Sequence, residues 1–301
     1  MKQLAHFLAF VTISIWGVTF ISSKVLLLHG ISASTIFLYR FVLAYILLVI
    51  ALKFKGQLQW ASAGWKDEML MMVLGVSGGS SYFLLENLSL IYTTTTNSSI
   101  LVSSSPLLVA VIACYILGTE KLTRTQLCGS ALALCGMALV VLNGRFVLHL
   151  EPKGDMLALG ACFAWAIYTL CMIPATKRYN SFFLTRKVLF YGILSIIPWM
   201  IINGDSFTIE SLNEPVVLGN LLFLGVVASA LCFISWSWAI TQLGAVVTNN
   251  WCYFGPISTI IAAAIILDEI ITVYFLIGCA MILIGMVIAD RKPKLQQSTT
   301  E

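Results

Sequence analysis

Glu86 lies deep within a stretch of sequence that is otherwise apolar and long enough to cross a membrane. An ionised residue at the centre of a membrane helix costs about 2.5 to 3.5 kcal/mol, so it normally faces a cavity or a partner. On a helix, Glu86 shares one face with Gly79, Tyr82 and Ser89. This face predicts that Tyr82 and Glu86 bind substrate, with Glu86 holding an ammonium group or carrying a proton. The alternatives are a neutral Glu86 hydrogen-bonded to a neighbouring helix and a charged one that reaches the interface.

The second half of the chain has an aromatic residue at the place that corresponds to Glu86. At an offset of about 150 residues Glu86 aligns with Trp236, and Trp238 follows. A carboxylate on one wall and an aromatic face on the other would together bind a cation or an amino group. We therefore predict that Trp236 binds substrate. The alternative is that both tryptophans only pack against helices or lipid.

Two predicted spans carry a proline within an unusually polar stretch, Pro106 in the first half and Pro256 in the second. A proline removes one intrahelical hydrogen bond, and interrupted helices often line transporter sites. We predict helix kinks at both prolines. The polar residues of these stretches that we predict to bind substrate are Ser98, Ser105, Asn249 and Tyr253. The alternative is an ordinary kink, with the polar side chains bonding between helices.

Tryptophans recur at matching places in the first and sixth predicted spans. Trp16 and Thr19 share a helix face, and Trp165 stands beside Tyr168. Two such tryptophans facing a central cavity would suit an organic substrate with apolar surface, so all four residues are predicted to bind substrate. Structural packing is an equal alternative.

Three further charged residues are less informative. Arg40 lies roughly two turns into its predicted span, and we expect its long side chain to reach the outer surface. Pairing with a carboxylate is the alternative for Arg40. Glu120 and Glu269 end the fourth and ninth spans and are interpreted as helix-end or loop contacts.

The sequence offers little that could support catalysis or metal binding. It has no Gly-x-Ser-x-Gly, no His deep within a span and no paired Asp motif within one. All eight cysteines fall in predicted spans without a Cys-x-x-Cys pair, and we interpret them as packing residues. We therefore predict no enzyme activity, no cofactor and no metal.

The composition places these residues in a lipid bilayer. The chain has 301 residues, of which 59% are hydrophobic and 10% charged, with a mean hydropathy of +0.96. Its nearly charge-free stretches have the length of membrane helices. They predict ten spans, near 4–23, 34–52, 69–90, 97–117, 124–142, 155–173, 186–203, 215–240, 245–267 and 271–289. Two long runs must be divided, at Tyr92–Thr96 and at Gln242–Gly244.

Lysines and arginines predict the orientation, because cytoplasmic loops carry the positive excess. With the N-terminus inside, about 13 of the 17 fall on the cytoplasmic side. The net charge of +4 reflects this asymmetry, so no nucleic-acid partner is expected. We predict a multi-pass protein of the inner (plasma) membrane with both termini cytoplasmic.

The second half repeats the first. Leu74-Gly75-Val76 and Pro106 in one half match Leu224-Gly225-Val226 and Pro256 in the other. Five spans per copy is an odd number, so the second copy must be inverted relative to the first. The predicted fold is an all-α integral membrane protein of ten helices in two inverted five-helix repeats, residues 1–145 and 146–290, followed by a cytoplasmic tail, 291–301. Small residues in spans five and ten predict close helix packing, with a homodimer through them as one use.

These residues resemble the EamA family of the drug/metabolite transporter superfamily across nearly the whole chain. The motifs that carry the resemblance are Trp16-Gly17, Arg40-Phe41, Pro106, Glu120, Gly129 and Gly136, with Pro256, Glu269, Gly278 and Gly285 in the second copy. Trp165-Ala166 departs from the Trp-Gly pattern, and Glu86 stands at a position not typical of the family. The resemblance implies alternating access and commonly export of amino acids or related metabolites.

Other solute classes and roles remain open. A sugar-phosphate carrier should need intramembrane Lys or Arg, and only Arg40 is clearly embedded. A drug-like substrate is a further alternative within the superfamily. A non-transporting membrane sensor or scaffold would fit the topology, but it would leave the polar faces without a use. We therefore predict a secondary transporter for a small-molecule substrate, with proton coupling through Glu86 as one possibility.

Overall fold

The computed structural model describes residues 1–93, 95–115, 123–142, 151–205, 213–267 and 272–289. Within these ranges the chain is almost wholly helical and contains no strand, which confirms the all-α prediction. Glu120, Glu269, the predicted repeat boundary at 145/146 and the tail at 291–301 lie outside the described residues.

The helices follow one another through short connections. They are α1 (Lys2–Leu28), α2 (Ala33–Phe54), α3 (Trp65–Gly75), α4 (Tyr82–Tyr92), α5 (Thr95–Ser103), α6 (Ser105–Tyr115), α7 (Arg124–Leu142), α8 (Pro152–Thr176), α9 (Ser181–Asn203), α10 (Pro215–Leu222), α11 (Cys232–Leu243), α12 (Ala245–Asn250), α13 (Gly255–Leu267) and α14 (Val273–Ala289). Two π-helical segments, Val76–Ser81 and Phe223–Leu231, join α3 to α4 and α10 to α11. A short 3-10 helix, Trp251–Phe254, joins α12 to α13.

Six helices of the described chain are long and apolar enough to cross a membrane. Four of them are α1, α2, α8 and α9, and the other two are the continuous helices Trp65–Tyr92 and Pro215–Leu243 that contain the π segments. The remaining predicted spans correspond to shorter or interrupted helices. The structure therefore confirms several membrane-capable helices, whereas the number of ten crossings stays a prediction.

Polar side chains cap helices where the apolar stretches begin. The backbone N–H of Phe183 donates to Asn180 at 2.8 Å at the start of α9. At the start of α7, the Thr123 hydroxyl and the Gln126 side chain each accept from the other residue's backbone N–H, at 3.1 and 3.0 Å. These bonds satisfy donors that the first turn of a helix leaves unpaired.

Irregular helix segments occur at matching places in the two halves. The two π segments correspond at the offset of about 150 residues. So do the break at Ser104 and the 3-10 helix Trp251–Phe254. Pro106 and Pro256 fall in the first turn of the helices that follow these breaks, where a proline's missing N–H costs no helical bond. The predicted divisions are also found, because α4 ends at Tyr92 and α11 at Leu243.

Charged and polar contacts form at both ends of the helix bundle. At one end Arg178 contacts Asp67 at 2.6 Å, and Lys187 pairs with Glu68. The contacts at the other end join Ser34 to Asp205, His29 to Glu214 and Lys153 to Tyr92. Each set connects the first half of the chain with the second, so the two halves contact each other at both ends of the helix bundle.

Glycines allow α7 and α14 to pack closely within one chain. A Cβ atom on Gly285 would stand 2.6 Å from the backbone nitrogen of Ala133, and one on Gly136 would stand 2.7 Å from the carbonyl of Gly278. The small residues of predicted spans five and ten therefore serve packing between these two helices. A homodimer through the same helices would have to use their other faces.

We expect Gly285→Ala to lower the stability of the protein. The added methyl group would meet backbone atoms at 2.6 Å, and overpacking of this kind costs about 1 to 3 kcal/mol. Gly219→Ala is the matched control, because a methyl group added to that glycine in α10 would meet no atom within 4 Å outside its own turn of helix, among the residues that the structure describes. Thermal unfolding in detergent should show a lower midpoint for Gly285→Ala than for Gly219→Ala, and equal midpoints would contradict the packing.

Candidate functional site

A small cavity lies between the two halves of the chain. The centres of water molecules can occupy about 30 Å³ of it, which is room for about two waters. Its walls are formed by Ile13, Trp16, Gly17, Phe20, Tyr82, Val102, Ser103, Ser105, Trp165, Cys252 and Gly255. Most of these side chains are apolar or aromatic. In this conformation the cavity is too small for an organic metabolite, so binding one would require the helices to separate.

Corresponding elements of the two halves meet at the cavity. Trp16 of α1 and Trp165 of α8 have their ring centroids 5.2 Å apart in an edge-to-face arrangement. Ser103 and Ser105 flank the break before α6. In the second half, Cys252 lies within the corresponding 3-10 helix, and Gly255 directly follows it. The repeat thus places two tryptophans and two interrupted helices around one space.

Asn249 links the two interrupted helices to the cavity wall. Its Oδ1 accepts the indole N–H of Trp165 at 2.9 Å, and its Nδ2 donates to Ser105 Oγ at 3.4 Å. Cys252 also donates to this Oδ1, at 3.4 Å. All of these bonds are buried, so one amide holds the indole ring of Trp165 and the residues beside both helix breaks.

Asn249→Leu should destabilise the protein by about 1 to 3 kcal/mol, because it leaves the buried indole N–H of Trp165 without its acceptor. Asn203→Leu is the control, since within the described ranges that exposed amide donates only to the carbonyl of Trp199. Chemical or thermal unfolding of both variants in detergent measures the difference. Asn249→Leu as stable as the control would show that the bond contributes nothing.

An aromatic cluster surrounds the cavity tryptophans. Trp236 of α11 has its ring centroid 5.1 Å from that of Trp16, and Tyr168 lies 4.9 Å from Trp165. Trp16 donates its indole N–H to the carbonyl of Ala228, in the second π segment, at 2.9 Å. By contrast, the indole N–H of the fully buried Trp236 has no hydrogen-bond partner among the described residues.

Two buried charges lie beside this cluster. Arg40 is 0% exposed and Glu86 1%. The guanidinium of Arg40 lies 4.2 Å from the centroid of the Phe83 ring, and its Nε donates to Ser229 Oγ at 2.9 Å. Arg40 and Glu86 also interact electrostatically. The expectation that Arg40 reaches the outer surface is therefore wrong, because Ser229 and Phe83 hold its side chain inside the bundle.

Hydrogen bonding around these charges is incomplete. Neither Nη1 nor Nη2 of Arg40, and neither carboxylate oxygen of Glu86, has a hydrogen-bond partner among the described residues. The Tyr82 hydroxyl comes close enough to the Glu86 carboxylate for a weak hydrogen bond, but the contact does not have good hydrogen-bond geometry. Buried polar groups are rarely left unpaired, and those that are often belong to functional sites.

The predicted site residues lie at three distances from the cavity. Its walls include Trp16, Tyr82, Ser105 and Trp165. One contact away lie Thr19, which donates to the Trp16 carbonyl, and Tyr168, Trp236 and Asn249. Glu86 is also one contact away, beside Tyr82, whereas Ser98 lies farther away and is bonded to Ser89 at 2.6 Å.

Tyr253 departs most clearly from its predicted place. It is fully buried in a second apolar cluster, with Met137 and Ile282, on the side of α13 that packs against α7 and α14. The preceding residue, Cys252, lines the cavity instead. Successive residues of a 3-10 helix point about 120° apart, so one position changes which side a residue faces.

Seven of the cavity wall residues were not predicted from the sequence to bind substrate: Ile13, Gly17, Phe20, Val102, Ser103, Cys252 and Gly255. Gly17 lies where α1 and α13 approach so closely that a Cβ atom would stand 2.6 Å from Ser258 Cβ. Cys252 and Gly255 line the cavity beside the break before Pro256. Gly17, Cys252 and Gly255 lie near Trp16 and Pro256, which were identified from the sequence, and this position in the chain could have indicated them as site residues.

Comparison with known proteins gives consistent results. The model of the EamA-like transporter family matches residues 3–142 and again residues 152–289. An uncharacterized transporter of Archaeoglobus fulgidus is 28% identical, over 97% of this chain and 99% of its own. A probable terminal-alkyne amino-acid exporter of Streptantibioticus cattleyicolor is 23% identical, over 93% of this chain and 91% of its own.

A solved crystal structure has a similar fold. It superposes with a TM-score of 0.75 over 96% of this chain and 98% of its own, at 14% sequence identity. This likeness concerns the fold alone, whereas the family matches cover nearly all of both halves. The protein belongs to the EamA-like transporter family.

Proposed function

We propose that this protein exports a small organic metabolite, such as an amino acid, by alternating access between two inverted five-helix repeats. The observation that carries the proposal is the cavity between the halves, where Trp16 meets Trp165 and the two interrupted helices meet each other. Transporters built from inverted repeats bind substrate at such an interface, near the bilayer midplane. The transport step involves no covalent chemistry by the protein.

The repeats in this proposal are residues 1–145 and 146–290, each crossing the membrane five times. The contacts at the two ends of the bundle support this arrangement, because each joins helix ends or loops that are predicted to lie on the same side. The excess of Lys and Arg assigns the Asp67–Arg178 end to the cytoplasm, together with both termini, in the inner (plasma) membrane. A homodimer would form through the outer faces of α7 and α14.

The substrate class follows from two supports. The cavity wall is aromatic and apolar, which suits a solute with apolar surface. The relative from Streptantibioticus cattleyicolor is named a probable terminal-alkyne amino-acid exporter. Glu86 supplies the coupling, because a buried carboxylate can take up a proton on one side of the membrane and release it on the other.

Uptake by proteoliposomes tests this function. Purified protein is reconstituted, and each of the twenty radiolabelled L-amino acids is supplied with and without a pH gradient, with protein-free liposomes as the control. We expect saturable uptake of one or more amino acids and accumulation that depends on the gradient. Uptake equal to that of protein-free liposomes for all twenty would overturn the proposal for amino acids.

A further inference from the structure

Arg40 of α2 and Glu86 of α4 are opposite charges that are both buried and yet do not touch. They interact electrostatically, but no direct ion pair joins these two residues, although such pairs join Arg178 to Asp67 and Lys187 to Glu68. Attraction between opposite charges is strong in a low-dielectric interior, and buried charges normally reach hydrogen-bond contact with a partner. The arrangement is therefore suited to a third group that contacts both.

The guanidinium of Arg40 is arranged to bind a carboxylate. Its Nε is already bonded to Ser229 Oγ at 2.9 Å, and the Phe83 ring lies 4.2 Å away against its face. These contacts fix the plane of the group. Nη1 and Nη2 remain without a partner among the described residues, and together they form the fork that binds a carboxylate through two parallel hydrogen bonds.

The carboxylate of Glu86 is arranged to bind a donor such as an ammonium group. Both of its oxygens are buried, the Tyr82 hydroxyl approaches them without a hydrogen bond of good geometry, and an ammonium group offers three donors. Tyr82 connects this pair of charges with the cavity. Its hydroxyl interacts with Glu86, while its ring lines the cavity 5.0 Å from the ring of Trp165.

We propose that Arg40 and Glu86 together bind the head group of a zwitterionic amino acid with an apolar side chain. The substrate's carboxylate lies on Nη1 and Nη2 of Arg40, its ammonium group on Glu86, and its side chain extends along Tyr82 into the cavity. The apolar wall residues that would contact this side chain are Ile13, Phe20 and Val102. The proposal rests on the function proposed above and names the substrate class and a specificity-determining residue, Arg40.

Competition against labelled L-leucine tests the proposal in reconstituted full-length protein. The competitors are unlabelled leucine, 3-methylbutylamine, which lacks the carboxylate, and 4-methylpentanoate, which lacks the ammonium group. For the wild type we expect only leucine to compete effectively. Arg40→Gln should raise the half-saturating leucine concentration about tenfold or more, as loss of a bidentate charged contact predicts, and should leave binding of the amine unchanged. Glu86→Gln should raise the half-saturating leucine concentration to a similar extent and should leave binding of 4-methylpentanoate unchanged.

Arg186→Gln is the matched control. Arg186 is the arginine that corresponds to Arg40 in the second half; it is also buried, but it donates to the carbonyls of Gln59 and Trp60 at 2.7 and 3.0 Å. This variant should leave the ratio of leucine to amine affinity unchanged. The double variant Arg40→Gln/Glu86→Gln removes both charges, so it preserves neutrality if a single variant unfolds, and it should lose the preference for leucine over both analogues.

The outcomes separate this proposal from the proposed function. Uptake of no amino acid at all would overturn both. Uptake confined to polar or charged amino acids would overturn only the assignment of an apolar side chain to the cavity. The head-group assignment would be overturned if either analogue competed for wild-type protein as well as leucine does, or if Arg40→Gln weakened binding of leucine and of the amine alike.

Discussion

Glu86→Gln should abolish the response of transport to a pH gradient while exchange of saturating substrate at equal pH continues. Glutamine has nearly the same shape but cannot take up or release a proton. One pH unit corresponds to about 1.4 kcal/mol, so each coupled proton supports about tenfold accumulation. We expect that ratio for the wild type and a ratio of about one for the variant. Proteoliposomes with an imposed gradient measure the accumulated substrate directly.

Glu151→Gln is the control for this experiment. Glu151 precedes α8, is exposed, and makes no capping hydrogen bond with its side chain, so the same change should leave accumulation intact. The thermal midpoint in detergent shows whether each variant is folded. Unchanged gradient-driven accumulation by folded Glu86→Gln protein would remove Glu86 from the coupling role.

Gly255→Leu should abolish exchange as well as gradient-driven transport. Gly255 lines the cavity, and a Cβ atom there would meet Ser103 Oγ at 3.0 Å and Ile13 Cγ1 at 3.9 Å. The serine hydroxyl can turn aside, so the backbone need not move. The rest of the leucine side chain would then fill the cavity of about 30 Å³. Flux measured in both modes should fall to the level of protein-free liposomes.

Gly219→Leu provides the comparison for the cavity variant. Gly219 faces open space in α10, so the same substitution should change neither flux nor folding. Folded Gly255→Leu protein with normal exchange would contradict the assignment of the cavity to the substrate pathway. The variants Glu86→Gln and Gly255→Leu also differ from each other, since only Glu86→Gln should retain exchange.

Much of the helical order could be predicted from the sequence because two physical signals are strong. Apolar stretches long enough for a bilayer give the helices, and the recurrence of Pro106 and Pro256 gives matching interruptions. The π segments could not be predicted in this way. They depend on a local change of hydrogen-bond register, which runs of small residues such as Ser77 to Ser80 permit but do not require.

The site could be predicted only in part, because facing and packing depend on tertiary contacts. Trp16 and Trp165 were identifiable from their matching places, and the structure brings their rings together. Arg40 was misplaced because nothing local in its helix shows that Ser229, nearly two hundred residues away, would bond to it. Tyr253 lies in a 3-10 turn, and the proline signal in the sequence indicates an interruption there without showing which side each residue of the turn faces.

The central claim is that the cavity opens in turn to each side of the membrane, and the reactivity of Cys252 tests it most directly. Cys252 lines the cavity and is buried in the described conformation. In a variant that keeps only this cysteine, a membrane-impermeant thiol reagent is applied to vesicles of either orientation. The account predicts modification from both faces and protection by transported substrate. Modification from neither face, or from one face alone under every condition, would contradict alternating access.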